Sequence, residues 1–333
     1  MVKRGLNSWV STLVAVTLTA AIFSGCGAAQ KAIKSGDGET IYNMAMELYE
    51  AEKWSKAAKM FEYAAPYYAN RPIEDSLQFY IARCRFKNGE FDEAVYQLDN
   101  FRRKYGRSAY IEDVEGMYTL SHYYLAPAPE RDQSPTLLAI SVIDEFKARY
   151  PNSNEMEQFN EMREELVKRL HESSYLSAYT YYNIGRYKSA IVALRNALKK
   201  YPDSAFREEI FYYTVASAYH LALNSIDHKR EERYLNMVDN YYSFIGEYPD
   251  SEYRADVENM ERKARKFLDN IKSGMTAEEA TALQDEELKQ AKKELKAEQK
   301  AQKKECKSGE AKERRSNNGG AAGRINRRKH NKL

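Results

Sequence analysis

The hydrophobic pattern divides the 333 residues into three stretches. Residues 10–23 form a short run of apolar and small side chains behind Lys3 and Arg4. From about residue 39 to residue 272, apolar residues recur at helical spacing, with a small residue regularly four positions before a bulky one. From about residue 285, Lys, Glu, Gln and Ala take over. They give way to N-N-G-G-A-A-G-R-I-N-R-R-K-H-N-K-L, too poor in apolar groups to build a core.

The middle stretch is a repeat. Y-G-R-S begins at Tyr105, Y-P-N-S at Tyr150, and Y-P-D-S at Tyr201 and Tyr248. Ala94, Ala139 and Ala190 each stand eleven residues before one of these tyrosines, and Ala57 stands eleven before Tyr68, where a first copy ends. The fifth copy has Met237 there. Phe61, Leu98, Ile143 and Leu194 follow the alanines by four, so each pair shares one helix face. Trp54, Phe91 and Tyr187 precede three of the alanines by three residues, and Gly89 and Gly185 stand just ahead of two of those aromatics. Gly supplies the left-handed residue that ends a helix. Tyr-Pro ends the next one, because Pro disfavours α geometry in the residue before it, and Asp or Asn followed by Ser is expected to cap its successor. The unit is two antiparallel helices, unable to bury their apolar faces without neighbours.

These residues resemble the tetratricopeptide repeat: Gly89, Phe91, Ala94 and Leu98 match its turn and second helix, as do Gly185, Tyr187, Ala190 and Leu194. The resemblance predicts an all-α solenoid of about five helix pairs over residues 39–273, with residues 251–272 as a closing helix and residues 274–333 as a charged, largely disordered tail. Copy three carries an inserted loop at residues 126–133, and copy five a longer connection at residues 225–230. Such loops often bind partners.

At the N-terminus, the basic pair, the apolar run and F-S-G-C have the layout of a secretory signal. The run is too short to span a bilayer comfortably. Cys26 after small residues resembles the lipobox of bacterial lipoproteins, with Phe23 where Leu is usual. The resemblance implies cleavage after residue 25 and acylation of Cys26, which holds the protein at a membrane. Residues 26–38 read as a flexible tether.

Composition changes the picture little. Gly (15) and Pro (8) are sparse and charged residues make up 30%, as suits a helical chain. The net charge of +3 hides a basic tail: 16 Lys and Arg against seven Asp and Glu from residue 286 onward. An acidic body gives no footprint for nucleic acid. Three cysteines make no disulfide framework; Cys84 reads as a buried small hydrophobe and Cys306 as a free thiol. The five histidines form no close pair at metal-ligand spacing, and nucleophile, P-loop and dinucleotide motifs are missing. Adjacent acids such as Glu164 and Glu165 read as surface charge. The expectation is a binding protein with no catalytic residue, no cofactor and no metal.

In the tetratricopeptide repeat the first helices line a groove. Projecting that register places Tyr42, Met46, Tyr49, Phe79, Arg83 and Phe86 in the early copies and Tyr175, Tyr179, Tyr182 and Asn183 in the fourth. Aromatics and Arg suit protein recognition, although each is also a candidate for helix packing. Arg195, Arg207, Arg230, Arg233 and Arg254 in the later copies are candidates for docking a folded partner.

The lipobox, five helix pairs and the segments Y-Y-N-I-G-R-Y-K-S-A-I-V-A-L-R-N-A-L-K-K-Y-P-D-S, F-R-E-E-I and K-R-E-E-R-Y-L-N-M-V-D-N-Y-Y-S-F-I-G-E-Y-P-D-S-E-Y together resemble the BamD lipoprotein family of the outer-membrane β-barrel assembly machinery. The resemblance covers residues 26–272. It implies an outer-membrane lipoprotein facing the periplasm, whose later repeats dock the barrel-forming BamA subunit and whose early repeats receive unfolded outer-membrane proteins. A generic periplasmic repeat adaptor remains open. A SusD-type glycan-binding lipoprotein needs large insertions that this chain has no room for, and a lytic transglycosylase needs a further domain.

Overall fold

The computed structural model describes the backbone of residues 29–326 and the side chains of residues 29–304, and every element among them is a helix. Cys26 and the rest of the lipobox lie outside the described residues. After a short helix at residues 29–35 (α1), the chain runs through α2 (Gly38–Glu50), α3 (Trp54–Tyr68), α4 (Glu74–Lys87), α5 (Phe91–Lys104), α6 (Ile111–Leu125) and α7 (Ser134–Arg149). Then come α8 (Met156–Asn183), α9 (Tyr187–Lys200), α10 (Arg207–Leu223), α11 (Asp227–Glu247), α12 (Arg254–Lys272) and α13 (Ala277–Asn326). Hairpins of tetratricopeptide type pair α2 with α3, and so on to α10 with α11.

The helices form two compact units. The first ends at Ser177 within α8 and also takes in Asp203–Phe206; the second comprises Ala178–Pro202 and the chain from Arg207. The outlying segment belongs to the first unit because the Phe206 ring stacks on Tyr175 at 5.1 Å.

The first, second and fourth hairpins turn in the same way. At Gly89 (φ +76°) the N–H groups of Asn88, Gly89 and Glu90 return to the carbonyls of Cys84, Phe86 and Arg85. Gly185 (φ +72°) repeats the device. The first hairpin places Glu52 at φ +55°, a conformation that costs a side-chain-bearing residue about 1–2 kcal/mol. After the turn, Ala57, Ala94, Ala139 and Ala190 and their partners Phe61, Leu98, Ile143 and Leu194 are all fully buried. Met237 takes the place of Ala in the fifth hairpin and is equally buried.

The joints between hairpins repeat as well. The second helices α5, α7, α9 and α11 end at Tyr105, Tyr150, Tyr201 and Tyr248. The serines that follow do not cap the helices directly. They stand ahead of the first helical residue, where the hydroxyls of Ser108, Ser153, Ser204 and Ser251 accept the N–H two residues on, at 3.0–3.4 Å. This short turn aims the fifth residue after each Tyr back at the preceding first helix. Tyr110 stacks on Phe79 at 4.4 Å, and Tyr253 stacks on Tyr212 at 4.3 Å, as Phe206 does on Tyr175. Copy three has Glu155 at this position, and Gly116 makes room for it; a methyl group at Gly116 would collide with the carboxylate. Burial, with Asp113 and Glu112 nearby, raises the Glu155 pKa.

Both ends differ from the sequence expectation. The tether expected at residues 26–38 is helical at 29–35, because Ala29, Ala32 and Ile33 share one face and pack on the α2–α3 core. Asp37 then caps α2 by accepting the N–H groups of Glu39 and Thr40; its carboxyl is held below the usual range, chiefly by the Thr40 hydroxyl and N–H.

The closing helix α12 does not close the fold. It ends in the same turn as the first, second and fourth hairpins, with Gly274 at φ +102° and N–H groups of Ser273, Gly274 and Met275 returned to Asp269, Ile271 and Asn270. Thr276 and Glu279 then form a reciprocal capping box. Ala280 is fully buried in the same cluster as Phe267 and Tyr234. Gln284 accepts the Tyr234 hydroxyl at 3.1 Å, and Glu287 pairs with Lys266 at 2.6 Å. The first turns of α13 are therefore the second helix of a sixth hairpin, and the packed scaffold extends past residue 273. Residues 289–304 are all exposed, as a charged run poor in apolar groups should be.

A chain ending at Ala291 should therefore melt where the full chain does. A chain ending at Gly274 should lose several degrees in thermal unfolding followed by circular dichroism, because Ala280 and the partners of Tyr234 and Lys266 are gone.

Candidate binding surfaces

In the first unit, the projected groove residues of α2 and α4 come together around one aromatic layer. Tyr42 is half-buried, its ring 5.8 Å from Phe61 and 5.7 Å from Tyr68. Tyr49 meets Trp54 at 5.2 Å and Tyr80 at 5.0 Å, while Met46 is half-buried against the same core. Phe86 is half-buried and meets Phe91 at 5.8 Å. Arg83 lies with its guanidinium 5.6 Å from the centre of the Phe79 ring.

Phe79 itself is only 2% exposed, sandwiched against Tyr110 and Tyr80. Its projection into a groove is corrected: it is the ring on which the hairpin joint rests. Tyr80 and Tyr110 are the residues that sequence reasoning missed. Tyr80 stacks on Phe61 at 5.4 Å and touches Tyr49 and Phe79, so it joins both hairpins while remaining partly exposed. Its signal was available, one position after Phe79, but the projection used the other side of the helix.

Burial raises the pKa values of Tyr42 and Tyr49; for Tyr49, Arg83 acts in the opposite direction. Both phenols therefore stay protonated at neutral pH and can donate a hydrogen bond. Half-buried tyrosine rings and a half-buried guanidinium suit an extended peptide segment with aromatic side chains.

The third hairpin holds a buried charge cluster. Glu115 lies between Arg102 at 2.7 Å and Arg149, and the Arg102 guanidinium sits 4.2 Å from the Tyr118 ring. These bonds tie α5, α6 and α7 together. The inserted loop is anchored rather than free, because Arg169 donates to the carbonyls of Ala126 and Pro127 at 3.0 and 3.2 Å.

In the second unit the five arginines separate. Arg195 is exposed, with a bond to Asn240 at 3.2 Å. Arg207 and Arg254 repeat one role. Each donates to the carbonyl of the preceding Tyr-Pro proline, Pro202 or Pro249, and each pairs with an acid, Glu247 at 2.7 Å or Glu258 at 2.8 Å. Arg233 is half-buried and donates to the Ser225 hydroxyl.

Arg230, at 5% exposure, is not available to a partner. It donates to the Leu223 carbonyl at 2.9 Å and to Gln284 at 3.4 Å, tying the α10–α11 connection to α13. Its expected docking role is corrected. Val192 on α9 and Leu235 and Tyr242 on α11 are exposed as well, and sequence reasoning passed over them.

Among the described residues, no group of three or more His, Cys, Asp or Glu is placed to hold a metal ion. Burial is the chief cause that lowers the pKa values of His122 and His220. Cys84 is buried and its thiol is pushed up to about 12. Among the described residues, no helix is long and apolar enough to cross a membrane.

Known proteins resemble this chain over most of its length. The family model described as the outer membrane lipoprotein YfiO matches residues 34–172 and 156–272, that is, from α1 to the end of α12. The chain is 25% identical over 250 residues to a protein named as outer membrane protein assembly factor BamD from Aquifex aeolicus (strain VF5), covering 74% of this chain and 81% of that one. Among solved structures it is similar to the TPR2AB-domain:pHSP90-complex of yeast Sti1, at 12% identity and a TM-score of 0.33, covering 68% of this chain and 98% of that one.

The buried and exposed arginines should behave differently. Arg230→Ala leaves the Leu223 carbonyl without its donor and should cost about 2 kcal/mol in denaturant unfolding. Arg195→Ala should stay within about 0.5 kcal/mol of the parent.

Proposed function

Because the chain belongs to the outer membrane lipoprotein family of the BamD type, we propose that it is a lipid-anchored scaffold of the outer-membrane β-barrel assembly machinery. It binds the barrel-forming BamA-like subunit, receives unfolded outer-membrane proteins and promotes their insertion. The observation that carries this reading is the family match across residues 34–272, which takes in helices of both units. The acylated Cys26 holds it to the outer membrane on the periplasmic side; the lipobox sequence supports this placement.

The two units divide the work. Tyr42, Tyr49, Tyr80 and Arg83 of the first receive the aromatic-ended segments of unfolded substrates. Arg195, with Val192, Leu235 and Tyr242, docks the BamA-like subunit. Arg207 and Arg254 hold the Tyr-Pro joints of that unit. The scaffold works by holding two polypeptides together, without bond chemistry of its own.

Two substitutions separate the surfaces without removing core packing. Arg83→Ala should weaken binding of a substrate-derived peptide by about fivefold or more and leave binding of the BamA-like subunit unchanged. Arg195→Glu should do the reverse, and both variants should melt with the parent. Equal loss of both partners in each variant would contradict the division. A parent chain that retains neither partner would contradict the function.

A further inference from the structure

Helix α13 carries its charge on separate faces. Lys289, Lys292, Lys293, Lys296, Lys300, Lys303 and Lys304 are all exposed. At 3.6 residues per turn they fall within an arc of about 120° along roughly 22 Å of helix. Ala280, Gln284, Glu287 and Ala291 lie on the opposite face, and Ala280, Gln284 and Glu287 are the ones that meet α11 and α12. The lysine face therefore points away from the packed scaffold.

This is not how a merely solvated helix distributes charge. Mixed Glu and Lys three or four apart stabilise an isolated helix, and like charges at that spacing destabilise it. Here the lysines neighbour one another at that spacing. Glu294 and Glu298, the acids between Lys289 and Lys304, have only Ala, Leu, Gln or each other there. The ion pairs that α13 makes with described residues go through Asp285 and Glu287, and not through the lysines. Apart from Lys289, which has Asp285 and Glu286 four and three residues before it, the arrangement gives up local helix stability and leaves an uncompensated basic stripe.

We propose that this stripe binds the phosphate groups of an anionic phospholipid surface. Lysine alone makes it up, without the Arg forks or aromatic anchors that recognise a folded partner. A straight row of point charges matches a flat layer of phosphates, and a chain of an outer membrane lipoprotein family works beside such a layer. The stripe adds an electrostatic contact to the lipid anchor, and the two together hold more firmly than either does. The family match ends at residue 272, so this contact belongs to the part of the chain beyond the matched scaffold.

The test uses the chain from residue 26 with Cys26→Ser, so that no acyl chain contributes. It is sedimented with vesicles of phosphatidylcholine, with or without phosphatidylglycerol. The parent should bind only the anionic vesicles and be released at high salt. Each Lys→Gln change in the stripe should weaken binding by about fivefold, and all seven together should weaken it far more, with the nine Lys and Arg beyond residue 304 unchanged. Gln preserves helix propensity, and seven Lys→Arg changes should keep the binding. A seven-Gln variant that binds like the parent would overturn the proposal, as would equal binding to neutral vesicles. Binding of polyglutamate but not of vesicles would assign the stripe to an acidic polypeptide and overturn it too. None of these results depends on whether the chain binds a barrel-assembly subunit.

Discussion

At Ala57, Ala94, Ala139 and Ala190 a single methyl group fills the space between paired helices, buried completely. A larger side chain at these points would push the helices apart and strand the bulky residue four positions later, which fills the gap between hairpins. In four hairpins, with Met237 taking the place of Ala in the fifth, close approach over a small residue is thus the constraint that the other features serve. The left-handed turn at Gly89 or Gly185 brings the second helix back at once. The Tyr–Ser turn then hands the chain to the next hairpin, and the stacked ring five residues on fixes its seat.

This arrangement leaves the first helices with more aromatic surface than the core can hold. Tyr42, Tyr49 and Tyr80 give one edge to the core and keep the other outside. The rings proposed for recognition therefore also pack the core, and substitution of Tyr49, which touches Trp54, Phe61 and Tyr80, disturbs that packing. Arg83 is a cleaner probe because its guanidinium lies over the Phe79 ring. In the second unit, Arg207 and Arg254 lock the Tyr-Pro joints, and Arg195 faces outward.

The hairpins were legible in sequence because their determinants are local: a Gly, an Ala five positions later, a bulky residue four beyond that. The sixth was not. Ala280 follows Gly274 by six residues, and acidic residues surround it, so the helix reads as part of the tail. Short-range spacing likewise could not tell Phe79 from its partly exposed neighbour Tyr80, because the stack that buries Phe79 comes from Tyr110 on the next hairpin. Arg230 reads as surface charge in a run of charged residues, and only the arrival of Gln284, 54 positions later, shows that it is enclosed. What sequence conveyed well was period and family; what it missed were contacts made by residues far apart in the chain.

The central claim is that this scaffold serves the assembly of outer-membrane β-barrels, and depletion of the chain from its own cells tests that most directly. The measurement is the amount of folded barrel protein in the outer membrane, read as the heat-modifiable form on gels, as the chain disappears. The account predicts that folded barrels fall while their unfolded precursors accumulate in the periplasm. Unchanged folded barrels in fully depleted cells would contradict it.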